Sequence, residues 1–184
     1  MTEQSDEQIV ARILSEDRDL FEILYRRYYP KAFSVAYGLT GQRETAEDLA
    51  QDILVKVFKT LEKFRGESLF STWFYRIARN HCLNYCRGLK LTTDNIDDID
   101  ETRLHHLRVV RSAEDVTLQK EREDHIYRAL LSLHLDDREL IVLKDVEGLS
   151  YGELAEQFGC SVGTVGSRLS RARELLARKL KGKI

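Results

Sequence analysis

The carboxy-terminal stretch GCSVGTVGSRLSRARELL, residues 159–176, decides how this chain is read. Val162, Val165, Leu169, Ala172 and Leu176 recur every three or four residues, the spacing of one apolar stripe on an α-helix, and are predicted to face a core. Thr164, Ser167, Arg168, Arg171 and Arg178 fall on the opposite side. Hydroxyls and guanidinium forks on one helix face suit phosphates and base edges in a DNA major groove. Ser161 stands where it can cap the helix, after a tight turn at Gly159-Cys160. Gly163 and Gly166 interrupt the pattern, at a cost of about 1 kcal/mol each relative to alanine. Gly163 falls in the first turn, where few helical bonds are at stake and backbone can approach phosphate. Gly166 lies one turn deeper, on the exposed side.

Upstream residues complete a motif. A helix is predicted over 137–146, with Leu140, Ile141, Leu143 and Val146 apolar, Asp136 as its cap and Glu139 at the third position. Ser150-Tyr-Gly-Glu153 is a capping box opening a short helix over 151–158, with Leu154, Ala155 and Phe158 apolar. A short helix, a glycine turn and a third helix make a helix-turn-helix.

The whole chain of 184 residues reads as all-α: two small helical domains joined by a flexible acidic linker. It holds one proline, Pro30, which starts a helix or kinks one. Ser5 and Gln8 form a capping box before Ile9, Ile13 and Leu14, and a second helical run begins near Asp19. Residues 38–43 read as a loop. Residues 44–63 form the strongest helix of the first half, with Ala46, Leu49, Ile53, Val57 and Leu61 at helical spacing. Residues 64–70 break it at Arg65-Gly66, and a further helix covers about 71–87. The domains expected are 1–90 and 116–184. Between them, 91–115 carries four aspartates within seven residues and no periodicity.

Net charge is −2, but Lys+Arg against Asp+Glu runs 8 to 11 over 1–60, 6 to 2 over 61–91 and 3 to 7 over 92–115. It continues 5 to 10 over 116–162 and 7 to 1 over 163–184. Two separated basic segments are either solvated helix faces or a nucleic-acid footprint. The first contains the helix of 71–87. There Phe74, Ile77, Ala78, Cys82 and Tyr85 read as core, and Trp73, Arg76, Asn80, Asn84 and Arg87 line another face. Bases stack on aromatics, amides read base edges and arginines hold phosphates, so that face suits melted DNA. Trp73 also fits the core.

No apolar run is long enough to span a bilayer, and the start of the chain is acidic and polar, so no membrane insertion is expected. Three cysteines without a disulfide spacing point to a reducing, cytoplasmic setting. No phosphate loop, HExxH or nucleophile elbow occurs, so neither catalysis nor a cofactor is expected. His81, Cys82, Cys86, His105 and His106 are the candidate metal ligands, but Cys82 and Cys86 share a core face, where cysteine behaves as a small hydrophobe; no metal site is expected.

FRGESLFSTWFYRIARN, the preceding AEDLAQDILVKVFKTLEKF and the later GLSYGELAEQFGCSVGTVGSRLSRARE together resemble a bacterial sigma factor of the extracytoplasmic-function (ECF) group of the sigma-70 family. The likeness covers nearly the whole chain. It implies a region-two domain over 1–90 that binds core RNA polymerase and the −10 element, and a region-four domain over 116–184 that binds the −35 element as duplex. Glu47, Asp48, Gln51, Asp52 and Lys56 would contact the β′ clamp helices, and the β flap would be a second polymerase contact. Phe64, Arg65, Ser68 and Phe70 would hold a flipped −10 base. Trp73, Arg76, Asn80, Asn84 and Arg87 would engage neighbouring positions. Ser161, Thr164, Gly166, Ser167, Arg168, Ser170 and Arg171 would face the −35 element, although Gly166 and Ser170 depart from the family pattern. The linker would thread toward the RNA exit path, and an anti-sigma factor would be a further partner. The alternative from the residues alone is a conventional helix-turn-helix repressor or activator that acts without polymerase.

Overall fold

The computed structural model describes residues 4–15, 18–93 and 118–181; the side chains of 89–93 and 118–124 fall outside that description. All regular structure among the described residues is helical. The first half contains α1 (Asp6–Ser15), α2 (Phe21–Thr40), α3 (Arg43–Thr60) and α4 (Phe70–Thr93), and the second α5 (Leu118–Leu131), α6 (Leu135–Ile141), α7 (Tyr151–Phe158) and α8 (Val162–Lys181). Helical 3₁₀ turns cover Arg18–Leu20 and Leu61–Lys63.

Local chemistry accounts for most boundaries. The Ser5–Gln8 capping box forms reciprocally, Gln8 N–H donating to Ser5 Oγ at 3.2 Å and Ser5 N–H to Gln8 Oε1 at 3.1 Å. α2 continues through Pro30 to Thr40, and the loop expected at 38–43 shrinks to Gly41 and Gln42. α4 extends past the expected end, taking residues 91–93 from the expected linker; the rest of that linker, with His105 and His106, lies outside the described residues.

The second half departs from expectation in three places. His134, not Asp136, caps α6, its ring Nδ1 accepting from Asp136 N–H. α6 then widens into a π-helical turn, Val142–Val146, in which Glu147 N–H reaches back five residues to Val142 C=O at 3.0 Å. Its extra residue takes Val146 off the apolar stripe, leaving it 52% exposed. Val162, expected in the core, is 53% exposed, because the first residue of α8 precedes the packed turn.

In the first half, Ile9, Val10 and Ile13 of α1 pack on Leu24, Tyr28, Ala32 and Val35 of α2, with the Ala46–Val57 stripe of α3 and Phe70, Phe74, Ala78 and Cys82 of α4. Tyr28 is buried and donates to Asp6, whose other oxygen accepts from Arg27 at 2.7 Å; burial, then Asp6, push the phenol well above its ordinary pKa. The same apolar cluster continues into Leu130, Leu133, Leu140–Leu143, Leu154, Val165 and Leu169 of the second half. The halves therefore pack directly on one another.

Candidate nucleic-acid interface

The helix-turn-helix is built by caps. Ser150 N–H donates to Glu153 Oε2 at 2.8 Å and Glu153 N–H to Ser150 Oγ at 3.2 Å, closing the predicted box. Burial opposes ionisation of Glu153, but hydrogen bonds from the Ser150 N–H, the Ser150 hydroxyl and Thr72 together hold its carboxyl below the ordinary range. Gly159 ends α7 at φ 59°, a left-handed conformation that glycine adopts without a Cβ penalty. Thr164 N–H donates to Ser161 Oγ at 3.1 Å, so Ser161 caps α8 as expected.

Val165, Leu169 and Ala172 anchor α8, and Leu176 is half-buried. Ser161, Thr164, Ser167, Ser170 and Arg171 are exposed on the other side. Gly166 and Arg168 are half-buried, and the Arg168 guanidinium lies 5.2 Å over the Phe158 ring. A Cβ built at Gly166 meets nothing within 4 Å. Nothing inside the molecule therefore requires glycine there.

On α4, Arg76, Asn80, Asn84 and Arg87 are all exposed, at spacings of four, four and three residues, and form one continuous polar stripe. Trp73 does not join it. It is 7% exposed, with ring centroids 5.5 Å from Phe64 and 5.7 Å from Phe70. Phe70 is fully buried, contrary to its expected place among residues facing a flipped base. The physical reason is shared: the three rings pack together where the loop turns into α4, and burying each removes a large apolar area from water. Phe64 and Ser68 are half-buried and Arg65 exposed, so these three line the accessible rim of the loop. Glu7 of α1 accepts the Phe70 N–H at 2.9 Å, satisfying a free donor in the first turn of α4, and that bond holds its carboxyl below the ordinary range.

On α3, Asp48, Gln51, Asp52 and Lys56 are exposed and Glu47 is half-buried beside Arg43, 2.9 Å away. Val55 and Phe58 add apolar surface, at 49% and 39% exposure. His81 of α4 lies 3.8 Å from Asp52. Cys82 is buried, which pushes its thiol up to about 12, and no disulfide involves it. Among the described residues no three of His, Cys, Asp and Glu converge, and no helix is long and apolar enough to cross a membrane.

Sequence periodicity did not reveal a second set of residues on α4. Thr72 donates to Glu153 at 3.1 Å and Tyr75 to Glu147 at 2.8 Å, and Arg79 is paired with the buried Glu139. The Arg79 guanidinium also sits 4.4 Å over the Phe158 ring. Arg138 donates to Leu39 C=O at 2.6 Å, Leu131 C=O at 2.7 Å and Leu133 C=O at 3.1 Å, joining the ends of α2 and α5.

Residues 24–92 match the model of sigma-70 region 2, and residues 124–176 that of sigma-70 region 4. The chain is 36% identical to the ECF RNA polymerase sigma-E factor of Haemophilus influenzae, over 98% of each chain. It is 34% identical to that of Escherichia coli K12, over 98% of this chain and 97% of the relative. The RNA polymerase sigma-H factor of Pseudomonas aeruginosa is 33% identical, over 98% and 96%. Two solved structures resemble the fold. The sigma factor RpoE of Bartonella quintana, in complex with the anti-sigma factor NepR, matches at TM-score 0.68 and 28% identity, over 89% of this chain and 98% of that one. CnrH, in complex with the cytosolic domain of CnrY, matches at TM-score 0.70 and 25% identity, over 98% and 100%. The two matched regions fall on the halves that carry the α4 stripe and the helix-turn-helix, and the full-length likeness excludes a free-standing repressor: the chain belongs to the ECF sigma factors of the sigma-70 family, non-enzymatic proteins that bind RNA polymerase and promoter elements through regions 2 and 4.

Proposed function

We propose that this chain directs RNA polymerase to its promoters by dividing labour among three surfaces. α8 enters the −35 major groove with Ser161, Thr164, Ser167, Ser170 and Arg171 toward the DNA, Gly166 at the closest approach and Arg168 at the edge. The α4 stripe of Arg76, Asn80, Asn84 and Arg87 holds the melted −10 strand. A flipped base is received at the rim of Phe64, Arg65 and Ser68, with Phe70 and Trp73 as the rigid floor behind it. Flipping costs a few kcal/mol of unstacking, which contacts of this kind offset. The exposed carboxylates and amide of α3, with Glu47 and Lys56, dock on the β′ clamp helices, and the second half takes the β flap. On this reading the region-two domain of 1–90 continues into the last turn of α4, the linker takes the rest of 91–115 and the region-four domain occupies 116–184. The protein works in the cytoplasm, under control of an anti-sigma factor.

The observation that supports this most is the coexistence of two exposed polar faces, one on each half, each backed by a buried stripe of the same helix. Transcription-start mapping after overexpression, followed by reconstitution with purified core polymerase, tests it. Wild-type protein should confer initiation at a −35/−10 promoter. Asn80→Ala with Asn84→Ala should lower initiation at least tenfold while polymerase still co-purifies. Gln51→Ala with Asp52→Ala should lose co-purification itself. Equal initiation by all three proteins would refute the assignment of these surfaces.

A further inference from the structure

The loop of 64–69 takes its place on the body of the first half from α1. Ser5 and Gln8 cap α1 and set its first turn, which holds Asp6 and Glu7. The two carboxylates act in different directions. Glu7 accepts the Phe70 N–H at 2.9 Å. Asp6 accepts the Tyr28 hydroxyl and, on its other oxygen, Arg27 at 2.7 Å. The Tyr28 ring in turn meets the Phe70 ring edge to face at 5.1 Å. Both arms therefore end on one residue. Glu7 holds the Phe70 backbone, and Asp6, through Tyr28, holds the wall against its side chain.

Phe70 is the junction between that loop and α4. The Phe64 ring meets the Phe70 ring at 5.5 Å, and half-buried Ser68 and exposed Leu69 lead into it. Bonds within the loop are short-range: Phe64 N–H donates to Leu61 C=O at 3.0 Å, and the Ser68 hydroxyl to Leu69 C=O at 3.3 Å. Gly66, at φ 72° with nothing within 4 Å of an added Cβ, bends the loop through open space. These features shape the loop but do not anchor it. Phe70 is fully buried, so its N–H has no water to turn to if Glu7 is removed. Either the donor stays unmade at a cost, or the first turn of α4 opens until water reaches it. Opening that turn displaces Ser68 and Phe64, the rim residues nearest to Phe70.

We infer that Glu7 is a positioning residue for base capture at the −10 element: through the Phe70 N–H it sets the rim of Phe64, Arg65 and Ser68 where a flipped base is received, with Asp6 and Tyr28 as the second arm. The inference rests on the base-receiving role proposed above for that rim. A binding constellation tolerates only about 0.5 Å of misplacement. A loosened first turn of α4 therefore weakens base capture before it unfolds the domain.

Reconstituted transcription with full-length protein, core polymerase and the mapped promoter tests this. One template is intact duplex; the others each carry a single abasic nucleotide at one −10 position of one strand. With wild-type protein, loss of the captured base should lower initiation about tenfold, in the range that one stacked base contributes. Glu7→Leu removes the acceptor and should lower initiation on the intact template. It should also shrink the abasic penalty to about twofold or less, because two changes that remove one interaction do not add. Glu7→Gln keeps an oxygen that accepts the Phe70 N–H and should keep most of the penalty. Tyr28→Phe keeps the ring against Phe70, releases only the bond to Asp6, and should lower the penalty by a smaller factor. Co-purification with polymerase should be unchanged in all three. An abasic penalty in Glu7→Leu equal to that of wild type overturns the inference, since a merely structural role lowers initiation on both templates alike. Where Glu7→Leu does not fold, the Tyr28→Phe penalty decides by the same criterion. Wild-type protein indifferent to every abasic position would instead refute the base-receiving rim itself.

Discussion

Glu7 shows how one side chain of α1 shapes the loop that leads into α4. It is the acceptor for the first N–H of α4, and so fixes where the loop of 64–69 ends. Its folded pKa lies below its unfolded value, so the folded state binds fewer protons. The stabilisation is full above the unfolded pKa, about 4.3, and is lost as pH falls through the folded value. Glu7→Gln should cost about 1 kcal/mol at pH 7, the usual worth of a cap. The difference from wild type should shrink as pH is lowered below about 4. Urea unfolding of both proteins at pH 7 and pH 3.5 measures this; a pH-independent difference would assign Glu7 a packing role only. The bond was not legible in the sequence, since Glu7 and Phe70 are 63 positions apart. Trp73 and Phe70 teach a related lesson: both fitted a DNA-facing surface by residue type, and three-ring packing with Phe64 placed them inside.

Among elements, α8 was the most legible, because its signals are local. Its cap, glycine turn and stripe all lie within a few residues; Val162 at its first turn was misplaced, and Arg168, expected on the exposed side, is half-buried against Phe158. The structure changes the meaning of Gly166. With no neighbour within 4 Å, alanine has room and ordinary helical geometry. Gly166→Ala should therefore stabilise the free protein by up to about 1 kcal/mol, seen as a higher melting temperature. Gly166→Arg should tighten −35 binding and steepen the salt dependence of affinity by about one phosphate contact. Binding titrations at two salt concentrations check it, and an unchanged slope would mean that position 166 does not face a phosphate. Ser161→Ala removes the cap of the same helix and should cost about 1 kcal/mol. α6 was less legible than α8. Its π turn carries Val142 and Leu143 into the shared core, and no local residue pattern announces it.

At the scale of the whole molecule, the shared core predicts cooperative unfolding. Calorimetry of the free protein should give one transition with matching calorimetric and van't Hoff enthalpies. Val142→Asp places an unpaired carboxylate in the seat between the halves, a cost of at least about 3 kcal/mol. It should split the transition in two, the first half retaining its own four-helix core. Two transitions in the wild type would contradict a single body. The sequence by itself determined the all-helical class, the caps at Ser5, Ser150 and Ser161, the helix-turn-helix, and the α4 stripe of Arg76, Asn80, Asn84 and Arg87. Each of these follows from helical period or from hydrogen bonds spanning three or four residues. Only the tertiary structure decided the pairing of Arg79 with Glu139, the carbonyls gathered by Arg138, the contact of Val142 with Gly38 and the burial of Phe70 and Trp73. Most of these join residues tens of positions apart, and all depend on which helix faces meet; packing leaves no period in the chain from which that could be read.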